Sequence, residues 1–160
     1  MESREIEAPP EIVYPYCICT TVAERALNSL LENTGRGVYK DSHPWLVARE
    51  FHHTARQQGK KLPILFATGA PAQFSRWAFI EELSVVELHH AAFESLCEFS
   101  RLEAVNPIWT DIGSVFLKPS HEQLQREVLE DIHRHRYALT EGEIHPYAIC
   151  ETPAFILQHG

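Results

Sequence analysis

Residues 62–105 read LPILFATGAPAQFSRWAFIEELSVVELHHAAFESLCEFSRLEAV, and the way this stretch folds decides the architecture of the chain. Leu62 to Thr68 is a short apolar run bounded by proline and glycine, the pattern of a buried strand. A turn through Gly69 and Pro71 follows, and from Phe74 to Val105 the chain has neither glycine nor proline. Such a run is open to a long helix or to strands. Phe93, Ser95, Cys97 and Phe99 alternate with Glu94, Leu96 and Glu98, which is period two and favours strand. In the first half, Trp77, Phe79, Leu83 and Val85 share one parity, while Ala78, Ile80, Val86 and Leu88 share the other. That pattern predicts a strand buried on both faces and bulged near Glu81 and Glu82. His89 to Ala92 are left as the connection, without good turn chemistry.

Working outward, Asp41 to Lys61 carries the strongest helix signals: Asp41 or Ser42 as cap, Pro44 in the first turn and Gly59 at the end. Val47, Ala48, Phe51 and Ala55 form its apolar stripe, and Arg49, Arg56, Lys60 and Lys61 fall off it. Before it, Ile12 to Thr21 reads as an edge strand or extended arm interrupted by Pro15, and Val22 to Asn33 as a short helix ended by Gly35 and Gly37. After it, Asn106 and Pro107 open a helical turn through Trp109 and Ile112, and Val115 to Leu117 returns as a strand. Ser120 with Gln123 is a capping box for a helix to about Tyr137, and Ile144 to Leu157 is extended. Tyr14 to Cys19 and His145 to Cys150 echo one another as proline-led strands at the two ends of the chain.

At 160 residues, 44% hydrophobic and 22% charged, the composition is that of one globular α+β domain over 1–160, with 1–10 as a frayed arm. No apolar run reaches membrane-span length, and the acidic start lacks a signal peptide, so a cytoplasmic setting is expected. The four cysteines, 17, 19, 97 and 150, form no dense disulfide framework.

The net charge of −8 argues against nonspecific binding along duplex nucleic acid, where affinity comes from neutralising phosphates. Charge is uneven, however. Residues 36–61 hold six cations (Arg36, Lys40, Arg49, Arg56, Lys60, Lys61) against Asp41 and Glu50, a local excess of four that suits one strand.

Ten histidines raise the question of metal. Glu50 with His53, Glu87 with His90, and Glu130 with His133 have the Glu-x-x-His spacing of di-iron bundles, but the long helices of a bundle are absent. His133 and His135 point about 200° apart on a helix and cannot share an ion. Cys17 and Cys19 share a strand face, yet no second pair stands at zinc-ribbon spacing. Cys150 with His145 or His121 lacks a nucleophile signature. Neither metal nor cofactor is therefore expected.

Aromatic and polar residues after the turn give a better signal. Ser75, Arg76 and Trp77, flanked by Phe74 and Phe79, combine rings that can stack on bases with an arginine that can hold phosphate, and Trp109 follows a second turn. The competing reading places these rings in the core.

The helix end Arg56, Gln57, Gln58, Gly59, then LPILFAT, SRWAFIEELSVVEL, FESLCEFSRLEAV and a short NPIW helix together resemble the PUA-like superfamily, nearest to its EVE and ASCH domains, over about residues 42–120. The resemblance implies a small mixed or antiparallel β-barrel with flanking helices. It also implies non-enzymatic binding of RNA, DNA or a modified nucleotide. On that likeness Trp77 and Trp109 wall a pocket, Ser75 and Arg76 make polar contacts, and Arg49 and Arg56 hold the backbone. A small hydrolase or metal-dependent enzyme and a protein interaction module are the alternatives.

Overall fold

A computed structural model describes residues 12–32, 37–105, 110–130 and 136–158, with backbone alone at 121, 127 and 130. The frayed arm expected at 1–10, Trp109 with the start of its helical turn, and His133 with His135 lie outside the described residues, while the far end of that turn is a short 3₁₀ helix at Ile112–Ser114.

The ambiguous stretch is strand. Pro63–Thr68, Gln73–Glu87 and Phe93–Phe99 form a continuous antiparallel ladder, and the middle strand is fifteen residues long. In chain order the strands are β1 (Ile12–Val13), β2 (Tyr16–Thr21), β3 (Gly37–Asp41), β4 (Lys60–Lys61), β5 (Pro63–Thr68), β6 (Gln73–Glu87), β7 (Phe93–Phe99), β8 (Glu103–Ala104) and β9 (Ala148–Glu151). The helices are α1 (Glu24–Glu32), α2 (Leu46–Gln57), α3 (His121–Glu130) and α4 (Ala154–Leu157). This is an α+β protein with a mixed seven-strand sheet in the order β9-β2-β5-β6-β7-β3, with β8 added to β6 and a separate parallel pair β1-β4.

The expected barrel is not closed: among the described residues the ends of the sheet, β9 and β3, do not pair. The reason lies in β6. Its first half pairs with β5 and β8 and its second with β7, so one long strand passes from one ladder to the next instead of curling the ladder onto itself. β2 and β5 run parallel, which requires the intervening chain, including α2, to cross over the sheet.

Two irregularities set which residues face which side. Between Phe66 and Ala67 the pairing on β6 skips from Arg76 to Phe74, so Ser75 is the extra residue, and Phe74 and Trp77 come to one face although three apart. Between Ile80 and Glu82 the skip falls at Glu81, and Ile80 and Leu83 share the other face. The second bulge lies where the mixed parity placed it.

Period-two alternation then builds two cores. Cys17, Cys19, Leu65, Phe74, Trp77, Phe79 and Cys150 face one way and are covered by Ile112, Val115, Leu139, Ile144 and Ile156 of the C-terminal third. Ile18, Ile64, Phe66, Ala78, Ile80, Leu83 and Phe99 face the other way against Leu27 of α1 and Trp45, Ala48 and Ala55 around α2. The two proline-led end segments are neighbours: β9 pairs antiparallel with β2 in the register Cys150↔Cys17 and Ile149↔Ile18.

Helix boundaries differ from expectation for local reasons. α2 starts at Leu46 instead of 41, because Asp41 belongs to β3 and the cap residue is Trp45, which makes no side-chain cap bond. Its backbone N–H instead donates to Ser95 Oγ on β7, at 2.9 Å. Gly59, at φ +70°, ends the helix in the left-handed region that glycine occupies freely. Ser120 Oγ accepts from Gln123 N at 3.0 Å, the expected cap of α3. Residues 154–157, expected extended, form the helical turn α4. Val115 to Leu117 contributes only single bridges, Phe116↔Ala138 and Leu117↔Cys150.

Candidate functional site: the outer face of α2

Seven residues advance a helix by 700°, 20° short of two turns, so Arg49 and Arg56 lie on one stripe of α2 with His53 between them. The adjoining stripe, Ala48, His52 and Ala55, is buried against the sheet and fixes the orientation of the helix. The cationic side therefore faces outward. A depression of about 400 Å³ lies along Arg49, Glu50, His53 and Thr54.

At the C-terminal end of the helix, the Gly59 turn brings Lys60 and Lys61 back beside β6. There a groove of about 370 Å³ is lined by His52, Arg56, Lys60, Lys61, Phe79 and Glu81 among others. Lys61 Nζ stands 5.1 Å from the centre of the Phe79 ring, a cation–π contact. Arg56 is tied into the bulge of β6: it donates to Glu81 O at 2.8 Å and pairs with the exposed Glu82 carboxylate at 3.5 Å. His52 is enclosed at the floor, where burial and then the charge of Arg56 hold its imidazole below the ordinary histidine value. The groove thus gathers Arg56, Lys60 and Lys61 beside the Phe79 ring, above the enclosed His52.

The sequence candidates separate into two groups. Arg49 and Arg56 belong to this face. Trp77 is only 2% exposed and packs edge-on to Phe79 (5.1 Å) and Phe155 (6.4 Å), so its ring offers no face for stacking. Ser75 is the bulged residue, and its Oγ is buried without a hydrogen-bond partner. Arg76 is half-buried, with its backbone paired to Phe66 and Ala104, and does not line the groove. Trp109 falls outside the described residues. Lys60, Lys61 and Phe79 line the groove as the structure builds it; the charge excess in 36–61 pointed to the lysines, and the aromatic run after the Gly69–Pro71 turn already included Phe79.

The cysteines are core. Cys17, Cys19 and Cys150 have no exposed surface, Cys17 and Cys19 Sγ lie 3.9 Å apart, and burial raises the Cys17 and Cys19 pKa. Thiols held neutral are poor nucleophiles and poor metal ligands. Burial likewise raises Cys97 far above the usual thiol range. Among the described residues no group of three or more His, Cys, Asp or Glu side chains is arranged to hold a metal ion.

A second polar constellation sits at the other end of α2. Asp41 Oδ2 accepts from His43 N (3.1 Å), His43 Nδ1 (2.9 Å) and Trp45 Nε1 (2.8 Å), and the His43 ring lies 5.6 Å from that of His145. Separately, α3 exposes an apolar stripe in which Val128 and Leu129 are 80% and 84% accessible. No described helix is long and apolar enough to cross a membrane. Comparison of the chain with protein-family models, with curated proteins and with solved structures finds no match.

Proposed function

We propose that the chain is a non-enzymatic binding domain for a phosphate-bearing ligand, a nucleic acid strand or a nucleotide, engaged by the outer face of α2 and the groove at its end. The observation that carries this reading is the convergence of Arg49, Arg56, Lys60 and Lys61 on one side of a protein whose net charge is −8. In such a field the local cations are the place where an anion is attracted instead of repelled. Phe79 lies in the groove wall with Lys61 over its ring, which holds that cation in place. The element order that resembles PUA-like domains supports the same reading.

The test is fluorescence anisotropy of short labelled single-stranded RNA and DNA at rising salt. Binding that weakens with salt, and a loss of roughly tenfold or more in the Arg49→Ala/Lys60→Ala double variant together with a shallower salt slope, is the expected result. Glu82→Gln, which releases Arg56 from its carboxylate, strengthens binding. Absence of retention at low salt, or an unchanged salt slope in the double variant, sinks the proposal.

A further inference from the structure

We propose that His43 and His145 form a binding site for a divalent late first-row transition ion, Zn²⁺ or Cu²⁺, with Asp41 as the carboxylate that orients the first ligand. His43 lies between β3 and α2, and His145 immediately precedes the chain entering β9, 102 residues later (145 − 43). Their convergence is therefore a product of the fold and not of local sequence. Nδ1 of His43 stands 2.9 Å from the Asp41 carboxylate, which can only accept there, so Nε2 is the ring nitrogen left to face a metal ion. A histidine that ligates metal characteristically gives its other N–H to a carboxylate in this way, which fixes the ring and raises its basicity. Asp41 is itself held, by Trp45 Nε1 at 2.8 Å, and the loop below it by Ser95 Oγ, which donates to His43 O.

The separation of the rings fits chelation. With metal–nitrogen bonds of about 2.0–2.1 Å, a ring centre sits about 3.2 Å from the ion, so two imidazoles at the tetrahedral angle have centres about 5.2 Å apart. The observed distance is 5.6 Å. The hairpin pair His89 and His90 provides an internal contrast at 6.5 Å, beyond the about 6.4 Å that even a linear arrangement allows. Among the described residues no carboxylate pairs with either of those rings. His43 is held by Asp41, and His145 is exposed, so chelation requires only that the His145 ring turn about its broad χ2 to aim a nitrogen at the shared point. The protein supplies two ligands, and water or a bound group completes the coordination. Imidazole donors favour Cu²⁺ and Zn²⁺ over Mg²⁺ or Ca²⁺.

The experiment uses the full tag-free chain, titrated with Zn²⁺ by calorimetry and with Cu²⁺ under electron paramagnetic resonance. One ion per chain is expected, with two imidazole nitrogens coupled to Cu²⁺. His145→Gln reduces these to one nitrogen and weakens Zn²⁺ at least tenfold, and His43→Gln does the same. Asp41→Asn weakens it by roughly ten- to a hundredfold. His89→Gln/His90→Gln leaves both readouts unchanged. An unchanged affinity in His145→Gln, or an equal loss in the hairpin variant, means adventitious binding to scattered surface histidines and overturns the site. Because His145 is exposed and outside both cores, its replacement tests the ligand role without unfolding the chain.

Discussion

The two halves of β6 are one strand in two environments. From Phe74 to Ile80 it lies between both cores: Phe74, Trp77 and Phe79 are buried on one side, Ala78 and Ile80 on the other, and β5 and β8 pair along its edges. Past the bulge at Glu81 only Leu83 and Val85 face a core, while Ser84, Val86 and Glu87 are exposed. The layer built by the C-terminal third stops covering the sheet there. That boundary is where polar chemistry becomes cheap, since inside it a polar side chain is costly unless it is hydrogen-bonded, and Ser75 Oγ at the first bulge is the exception. The groove with Arg56, Lys60 and Lys61 begins at the bulge, where Arg56 donates to the Glu81 carbonyl.

The contrast is broken most forcefully in the first half. Trp77→Ala leaves a large cavity between Phe79 and Phe155 and is expected to cost about 3–5 kcal/mol, read as a fall in the urea midpoint. Val86→Ala, nine residues along the same strand and exposed, is expected to stay within about 0.5 kcal/mol. Equal effects would mean that the halves are covered alike. Ser95→Ala probes the one face that stays buried beyond the bulge. Ser95 Oγ bridges two backbone groups, accepting from Trp45 N and donating to His43 O, and is 2% exposed. Its removal leaves both unpartnered, for an expected loss of about 1–3 kcal/mol in the same measurement.

The same boundary explains what was legible in the sequence. Where both faces of β6 are buried, both parities are apolar, and the mixed parity at Glu81 and Glu82 disclosed the bulge. The Ser75 bulge left no such trace, because Phe74 and Trp77 are apolar in either register. β3 was illegible: Gly-Val-Tyr-Lys-Asp alternates too weakly over five residues, and it is held by β7 from a distance. Asp41 reads as a helix cap because cap chemistry and an Asx turn use the same short carboxylate. Its role in orienting His43 emerges only with His145 beside it. Arg49 and Arg56 could be placed outward from the helical period, whereas enclosure of Trp77 depends on α4 and residues 110–117, whose packing no local pattern encodes.

At the tip of the second half the chain turns through His90 and Ala91, both with positive φ (53° and 62°), closed by Ala92 N donating to His89 O at 3.0 Å. This is the two-residue turn that Asn-Gly fits and that side chains with a Cβ strain. His90→Asn/Ala91→Gly is expected to stabilise the protein by about 1 kcal/mol, seen as a higher melting temperature. A loss instead would show that contacts of these side chains, and not turn geometry, hold the hairpin.

The smallest expected effect sharpens the boundary itself. His52 lies under Arg56 at the groove, and burial followed by the Arg56 charge lowers its pKa, while Glu82 and the Ile80 backbone offset part of that shift. Below its unfolded value of about 6.5 the unfolded chain takes up the proton before the folded one does. Stability contributed by neutral His52 is therefore complete above that pH and is lost as pH falls through 6.5 toward the lower folded value. Urea midpoints measured from pH 8 to 5 are expected to decline less steeply in His52→Gln than in the parent chain, whatever the offset between the two. In Glu82→Gln the favourable carboxylate is gone, the folded pKa drops further, and the decline steepens. If Glu82→Gln instead flattens the profile, the carboxylate is not screening His52 from Arg56, and the groove floor is wetter than its burial implies.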